Sequence, residues 1–151
     1  MGGTPYSRVG RLDGACLCGT VRIAVDGAYE AAIGACHCGL CRGWTGTHFA
    51  GFDADPAAVT VTGPVAIFRS SPFATRAFCP TCGSHLWLRD DGDASVYELM
   101  PGLFPGAAEF PLLSEIYVDV APRHARLAGD HPTRTRAEYE AENPFVEGDA
   151  R

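Results

Sequence analysis

The amino-acid sequence predicts a mainly β fold with antiparallel pairing. Short runs of alternating apolar and polar residues follow one another along the chain, and 18 Gly and 11 Pro are spread among them. Such runs, bounded by turn residues, are typical of antiparallel sheets, whereas Gly and Pro interrupt long helices. We therefore expect about eight short strands and at most one or two short helices. With 151 residues and a hydrophobic share of 46%, the chain is long enough for one domain with a real core.

The N-terminal part divides into an arm and the first strand. Residues 1–11 are poor in apolar residues and are predicted to form a flexible arm, followed by a β domain over residues 12–129. In the stretch TVRIAVDG (20–27), Val21, Ile23 and Val25 alternate with other residues, which predicts a half-buried strand.

The middle of the chain predicts most of the sheet. A strand over 47–54 is followed by a turn at 54–58, and residues 59–70 read as two strands around a Gly-Pro turn. Residues 75–100 predict three strands, joined first by a Cys-x-x-Cys turn and then by an Asp-Gly turn. The acidic run 89–93 lacks the downstream Glu of a calcium loop, so we interpret it as a hairpin turn.

The C-terminal part is predicted to contain a long loop over 101–115, a last strand over 115–121 and an acidic polar tail over 130–151. Within the tail, TRTRAEYEAEN (133–143) predicts a short helix that Pro144 ends. The large aromatic side chains are most simply core residues; they are Phe49, Phe52, Phe68, Phe78 and Trp87.

Composition excludes several function classes. The net charge is −6, and the 12 cationic residues are all Arg and are scattered. A clustered basic face for nucleic acid is therefore not expected, and the absence of Lys excludes Schiff-base catalysis. No apolar run approaches the ~20 residues of a membrane span, and the N-terminus has no apolar signal region, so we expect a cytoplasmic protein.

Seven cysteines fall into three tight groups. They are Cys16 and Cys18; Cys36, Cys38 and Cys41; and Cys79 and Cys82. In a reducing compartment, clustered thiols are more often metal ligands or nucleophiles than disulfide partners, and an odd count cannot pair fully. Gly19 and Gly83 follow the second Cys of the outer pairs, as in the sharp turns of zinc knuckles.

Zinc is the metal that this pattern favours, although isolated buried cysteines, disulfides and an iron–sulfur cluster remain alternatives. Seven ligands divide into four and three. Two remote pairs suit a closed structural site of four thiolates, whereas a three-ligand site keeps one position open for a visiting molecule. The spacing alone does not determine which four cysteines belong together.

The stretches GACLCGTVRIAV, CHCGLCRGWTG and FCPTCGSHLWLR resemble the family of glutathione-dependent formaldehyde-activating enzymes, also called the centromere-protein-V domain family. The resemblance covers about residues 12–120 and includes all seven cysteines in order. It implies an Mss4-like β fold, a structural zinc on Cys16, Cys18, Cys79 and Cys82, and a catalytic zinc on Cys36, Cys38 and Cys41. The chain departs from the family where a His-Ile-aromatic stretch is common, since Glu115 precedes Ile116 here.

The implied activity is that of a carbon–sulfur lyase with two Zn²⁺ per chain and glutathione as co-substrate. The partners are then a small-molecule thiol and an aldehyde, with no nucleic acid and no membrane. The reaction joins glutathione and formaldehyde as S-hydroxymethylglutathione, or cleaves that or a related adduct. The alternative from another class is a non-catalytic, zinc-stabilised protein-interaction module.

Each candidate residue near the cysteines has a functional and a structural interpretation. Arg42 is a candidate partner for a glutathione carboxylate or an ordinary surface residue, and Trp44 lines the mouth of the site or packs in the core. His37 lies between two ligands, so we expect its side chain to point away from the metal. His48 and His85 are either hydrogen-bonded structural residues or a general acid.

Overall fold

The structure is a computed structural model that describes residues 3–92 and 95–146. In these residues the chain forms eleven strands and two short α-helices. Most strand pairs are antiparallel, which confirms the predicted mainly β fold. The strands are β1 (Ser7–Ala15), β2 (Arg22–Glu30), β3 (Ile33–Cys36), β4 (Phe49–Ala54), β5 (Val59–Thr62), β6 (Ala66–Ser71), β7 (Ala74–Phe78), β8 (His85–Asp90), β9 (Tyr97–Leu99), β10 (Leu112–Ile116) and β11 (Thr133–Arg134); the helices are α1 (Gly39–Thr45) and α2 (Arg136–Glu142).

The chain divides into two compact units. The first contains Met1–Ala32 and Gly51–Pro111. Its strands pair antiparallel in the orders β1–β2–β5 and β4–β9–β8–β7–β6, with one bridge between β2 and β4. The predicted alternation in β2 is seen directly, because Ile23 and Val25 are at most 1% exposed and the residues between and beside them are less buried.

Aromatic rings form the core of the first unit. Phe52 is 1% exposed, and its ring lies 5.3 Å from that of Phe104 and 5.5 Å from that of Phe110, both edge to face. Such pairs stabilise a core beyond the area that they bury. Phe68, expected in the core, is instead 60% exposed, because it lies on β6 at the edge of the sheet.

The N-terminal stretch differs from the flexible arm expected over residues 1–11. From Ser7 onward it is strand β1, which pairs with β2 along its whole length. The hydroxyls of Thr4 and Ser7 donate hydrogen bonds to the buried carboxylate of Glu30. Backbone pairing thus orders this stretch although it has few apolar residues; residues 1 and 2 lie outside the described part of the chain.

The second unit contains Ile33–Ala50 and Leu112–Arg151, the last described residue being 146. Here β10 lies between β3 and β11 and is parallel to both. The short helix predicted in the acidic tail is α2. Its start is fixed by a capping box in which the Thr135 side chain and the Glu138 side chain satisfy each other's backbone N–H groups. Residues 147–151 of the tail lie outside the described residues.

The predicted bounds of the last strand, residues 115–121, are wrong at both ends. Strand β10 begins at Leu112, inside the expected loop, and ends at Ile116. Tyr117 has a left-handed backbone with φ of 59° and is followed by a 3-10 turn over Val118–Val120. A bulky residue rarely adopts this conformation, so surrounding contacts must hold it. Tyr117 is 2% exposed, and its hydroxyl donates to Glu140, 3.2 Å away.

Candidate metal centres

The first unit brings together the two outer cysteine pairs. The Sγ atoms of Cys16, Cys18, Cys79 and Cys82 all lie within 4.8 Å of one another. The sulfurs of Cys16 and Cys18 are 3.6 Å apart, and those of Cys18 and Cys79 are 3.8 Å apart. A tetrahedral ion with metal–sulfur bonds of about 2.3 Å separates its sulfurs by about 3.8 Å. The four thiols are therefore close enough together to hold one tetrahedral metal ion.

Neither disulfide bonds nor an iron–sulfur cluster fits this arrangement of the four thiols. All seven cysteines are free thiols, and sulfurs 3.6 Å apart are far beyond the ~2.05 Å of a disulfide bond. An iron–sulfur cluster distributes its thiolates over two or four iron atoms, which spreads the sulfurs more widely than a single tetrahedral ion does. The donor set, four sulfurs and no oxygen, suits zinc or another soft metal ion.

Two tight turns present the four thiols. One follows β1, and the other joins β7 to β8. Gly19 and Gly83 have φ of 77° and 76°, as expected for the residue after each second Cys. Gly19 N–H donates to Cys16 O and Gly83 N–H donates to Cys79 O, which closes each turn. The sharp turns predicted from the Cys-x-Cys-Gly and Cys-x-x-Cys-Gly patterns are thus confirmed.

Hydroxyl and amide groups surround these sulfurs. The Ser84 hydroxyl lies 3.2 Å from Cys82 Sγ and also accepts a hydrogen bond from Leu17 N–H, which links the two turns. Val21 N–H donates to Cys16 Sγ at 3.2 Å. Hydrogen bonds from the Ser84 side chain and backbone lower the pKa of Cys82 to about 5. Groups that stabilise a thiolate in this way are the usual outer shell of a metal site.

The second unit holds the remaining three thiols. Cys36 ends β3, Cys38 caps the N-terminus of α1 and Cys41 lies in the first turn of that helix. Their Sγ atoms also lie within 4.8 Å of one another. Among the described residues, no further His, Cys, Asp or Glu joins this group. It can hold a metal ion with three protein ligands and one position left over.

Helix α1 was not predicted, yet it positions Cys38 and Cys41, two members of the cysteine triplet Cys36, Cys38 and Cys41. The Cys38 sulfur accepts a hydrogen bond from Cys41 N–H at 3.5 Å, in the way that a Ser or Asp oxygen caps a helix. The helix ends at Gly46, which has φ of 83°. Hydrogen bonds with Cys36 and Cys41 and from backbone N–H groups lower the pKa of Cys38, although burial acts in the opposite direction.

Arg42 and Trp44, the two candidate substrate contacts, both lie on α1. Arg42 Nε donates to the His37 carbonyl, 2.8 Å away, so the guanidinium lies beside the triplet segment. The Trp44 ring stacks on Phe49 with centroids 6.5 Å apart, which fits the core-packing reading. Both side chains are half-buried.

A buried His–Glu–His arrangement lies in the same unit. Glu115 on β10 is 4% exposed; its Oε1 is 2.6 Å from His37 Nε2 and its Oε2 is 2.6 Å from His131 Nε2. Burial raises the pKa of Glu115, but the hydrogen bonds from His131 and His37 outweigh it, and the net shift is downward. His37 thus faces away from the thiols, as expected. The other two members were not predicted as site residues: the sequence marked Glu115 only as a departure from the family pattern, and it did not single out His131.

The first unit also contains a group of neighbouring carboxyls. Asp53 on β4 and Glu98 on β9 are opposite each other in the antiparallel ladder. Burial, then the charges of Asp53 and Asp90, raise the pKa of Glu98 to about 8, against a lowering by Arg76. Burial, then the charges of Glu30 and Asp90, raise the pKa of Asp53 to about 6. These groups are distinct from the thiol clusters.

Comparison with known proteins identifies a family, a relative in sequence and a solved structure of similar fold. The family model described as glutathione-dependent formaldehyde-activating enzyme matches residues 11–120. A protein of Schizosaccharomyces pombe described as an uncharacterized lyase is 28% identical over 111 residues, which are 73% of this chain and 80% of that protein. A crystal structure of a Rhodobacter sphaeroides protein has a TM-score of 0.53 at 23% identity and covers 66% of this chain and 98% of its own, a likeness of fold. Neither described helix is long and apolar enough to cross a membrane.

Proposed function

Because the chain belongs to the family of glutathione-dependent formaldehyde-activating enzymes, we propose that it is a zinc-dependent carbon–sulfur lyase. Its substrates are glutathione, or a related small thiol, and formaldehyde, or a related small aldehyde. In one direction it forms the thiol–aldehyde adduct, and in the other it cleaves the carbon–sulfur bond of that adduct. The family match and the lyase name of the Schizosaccharomyces pombe relative support the class of reaction.

The three-thiol cluster is the observation that carries this proposal. Cys36, Cys38 and Cys41 converge within 4.8 Å and are the ligands we assign to the catalytic zinc. Zinc held by three thiolates supplies an open position that favours the deprotonated form of an incoming thiol. We assign a second, structural zinc to the four-thiol cluster, whose cage has a ligand at every corner.

The proposed reaction balances without any other reactant. The glutathione sulfur gives up its proton and forms a bond to the carbonyl carbon of formaldehyde. The carbonyl π bond breaks, its electron pair stays on oxygen, and one proton adds there to give S-hydroxymethylglutathione. The reverse sequence returns the thiol and the aldehyde.

The chain's own residues supply position and charge. Arg42, beside the triplet segment, is the proposed partner of a glutathione carboxylate, and Trp44 is proposed to border the bound thiol. Binding both reactants at one place converts a bimolecular step into an effectively unimolecular one. Of the two histidines proposed as general acid, His48 belongs to the same unit as the three thiols, and its ring centroid lies 5.6 Å from that of His37.

The test is the rate of adduct exchange. Metal-analysed protein is mixed with glutathione and formaldehyde, and exchange between free and adduct carbon is followed by NMR. We expect two zinc ions per chain and exchange faster than the uncatalysed reaction. The Cys38→Ser variant should lose this acceleration while keeping the metal of the four-thiol cluster. A wild-type rate equal to that of Cys38→Ser and of buffer would refute the enzyme and favour the interaction module.

A further inference from the structure

The His37 residue is held at three points. Its Nε2 meets Glu115 Oε1 at 2.6 Å, its backbone N–H donates to Ile116 O at 3.1 Å, and its carbonyl accepts from Arg42 Nε at 2.8 Å. Its side chain is fully buried. With ring, N–H and C=O all engaged, the peptide units on both sides of His37 have little freedom to rotate.

Those peptide units lead directly to two of the three thiols. Cys36 precedes His37 at the end of β3, and Cys38 follows it with an extended backbone, φ −60° and ψ 159°. In extended chain, neighbouring side chains project to opposite sides. Consistent with this, the His37 ring meets Glu115, whereas the sulfurs of Cys36 and Cys38 converge on Cys41. The anchor on one side of the segment therefore sets the direction of the sulfurs on the other.

The Glu115 carboxylate is itself firmly placed. Glu115 pairs with Ala35 in β3 and with Thr133 in β11, and its backbone N–H donates to Pro132 O at 3.0 Å. His131 occupies the second carboxylate oxygen at 2.6 Å. A buried carboxylate needs such donors to replace its lost hydration, and here both oxygens have one.

We propose that Glu115 is a positioning residue of the three-cysteine centre: braced by His131, its carboxylate holds His37 so that Cys36, Cys38 and Cys41 are pre-arranged to bind the metal ion. This inference rests on the proposed function only in assigning a metal to that centre. Glu115 touches neither metal nor substrate in this role. It acts as the outer-shell partners of metal ligands do, but through the backbone of the residue between two ligands.

The decisive variant is Glu115→Gln, which keeps the size of the side chain but leaves one amide NH₂ where an imidazole N–H needs an acceptor. Full-length protein is reconstituted with cadmium-113, so that the four-thiolate and three-thiolate centres give separate NMR resonances. Competition with a chelator then gives the affinity of each centre. We expect a loss of about 10- to 100-fold at the three-thiolate centre, as outer-shell substitutions typically cause, and no change at the other.

The matched control is Glu142→Gln. Glu142 lies in the same unit and pairs with Arg134 at 3.1 Å, its side chain being 57% exposed. The substitution removes the same charge, so its affinities should equal those of the wild type at both centres.

A second pair of variants separates positioning from any chemistry of the imidazole. His37→Gln keeps an N–H donor close to the position of Nε2 and should retain most of the cadmium affinity. His37→Ala has no donor and should lose as much as Glu115→Gln. This pair decides the question even where Glu115→Gln does not fold.

Three results would overturn the inference: unchanged affinity of the three-thiolate centre in Glu115→Gln, an equal loss at both centres, or a His37→Gln protein as weak as His37→Ala. Wild-type protein that binds both ions but does not accelerate adduct exchange would refute the proposed function and leave the positioning role standing. Wild-type protein whose three thiols bind no metal would overturn both.

Discussion

Replacing Glu98 by Gln should remove a pH dependence from the stability of the first unit. Glu98 faces Asp53 across the β4–β9 pair, with Asp90 and Arg76 also acting on it, and its pKa is raised from 4.5 to about 8. The folded protein therefore keeps a proton that the unfolded chain releases near its ordinary pKa. Folding stability is highest below that ordinary pKa and falls as pH rises through the window from 4.5 to about 8.

The size of the effect follows from proton linkage. One extra proton bound by the folded state lowers the free energy of unfolding by about 1.4 kcal/mol per pH unit. Between pH 5 and pH 7 the wild type should therefore lose up to about 3 kcal/mol from this residue. Asp53, whose pKa is raised to about 6, adds to the slope at the acidic end. Glu98→Gln is neutral throughout and should flatten the curve.

Urea unfolding of zinc-saturated protein at several pH values measures this slope. Metal–thiolate binding also changes with pH, but it does so equally in wild type and variant, so the difference between their curves isolates Glu98. Glu109→Gln, an exposed residue of the same unit, is the control and should follow the wild-type curve. Parallel curves for wild type and Glu98→Gln would show that the carboxyl is ionised in the folded protein and refute the reasoning.

Three further predictions concern the thiols, the substrate and the core. Cys79→Ser should lose the metal of the four-thiol cluster and unfold at lower temperature, whereas Cys38→Ser should melt near the wild-type temperature, as metal analysis and circular dichroism can show. Arg42→Gln should raise KM for glutathione more than for 2-mercaptoethanol, which has no carboxylate; an equal rise for both thiols would exclude the proposed contact. Phe52→Ala should cost about 3–5 kcal/mol in urea unfolding, because its ring is 1% exposed between two aromatic partners, and a cost below 1 kcal/mol would contradict this packing.

Sequence reasoning succeeded where the signal was local. The alternation of Ile23 and Val25 identified β2, and the Gly after each second Cys identified the two turns that present the four thiols. Both signals depend on the backbone preferences of a few neighbouring residues. It failed for β1, where Val9 is 85% exposed and pairing with β2 rather than apolar burial orders the chain. It also failed for α1, seven residues long, whose N-cap is a cysteine sulfur.

The His–Glu–His arrangement shows why part of the site could not be predicted. Glu115 is 78 residues from His37 and 16 residues from His131. These residues meet because β10 is parallel to both β3 and β11, in a register that no local pattern specifies. A parallel ladder between remote segments is a product of the whole fold. The cysteine triplet could be predicted from the sequence, but the contacts among His37, Glu115 and His131 beside it could not.

The spacing of the two thiol clusters supports the different roles that we propose for them, independently of the family. Cys18 and Cys79, in contact within the first unit, are 61 residues apart in sequence. The triplet spans only the six positions from 36 to 41. The entropy of closing a loop grows with its length, so a metal that joins remote segments constrains the unfolded chain far more than one held by a short segment. Loss of the four-thiolate ion should therefore cost folding stability, whereas loss of the three-thiolate ion should leave the fold largely intact and remove the chemistry.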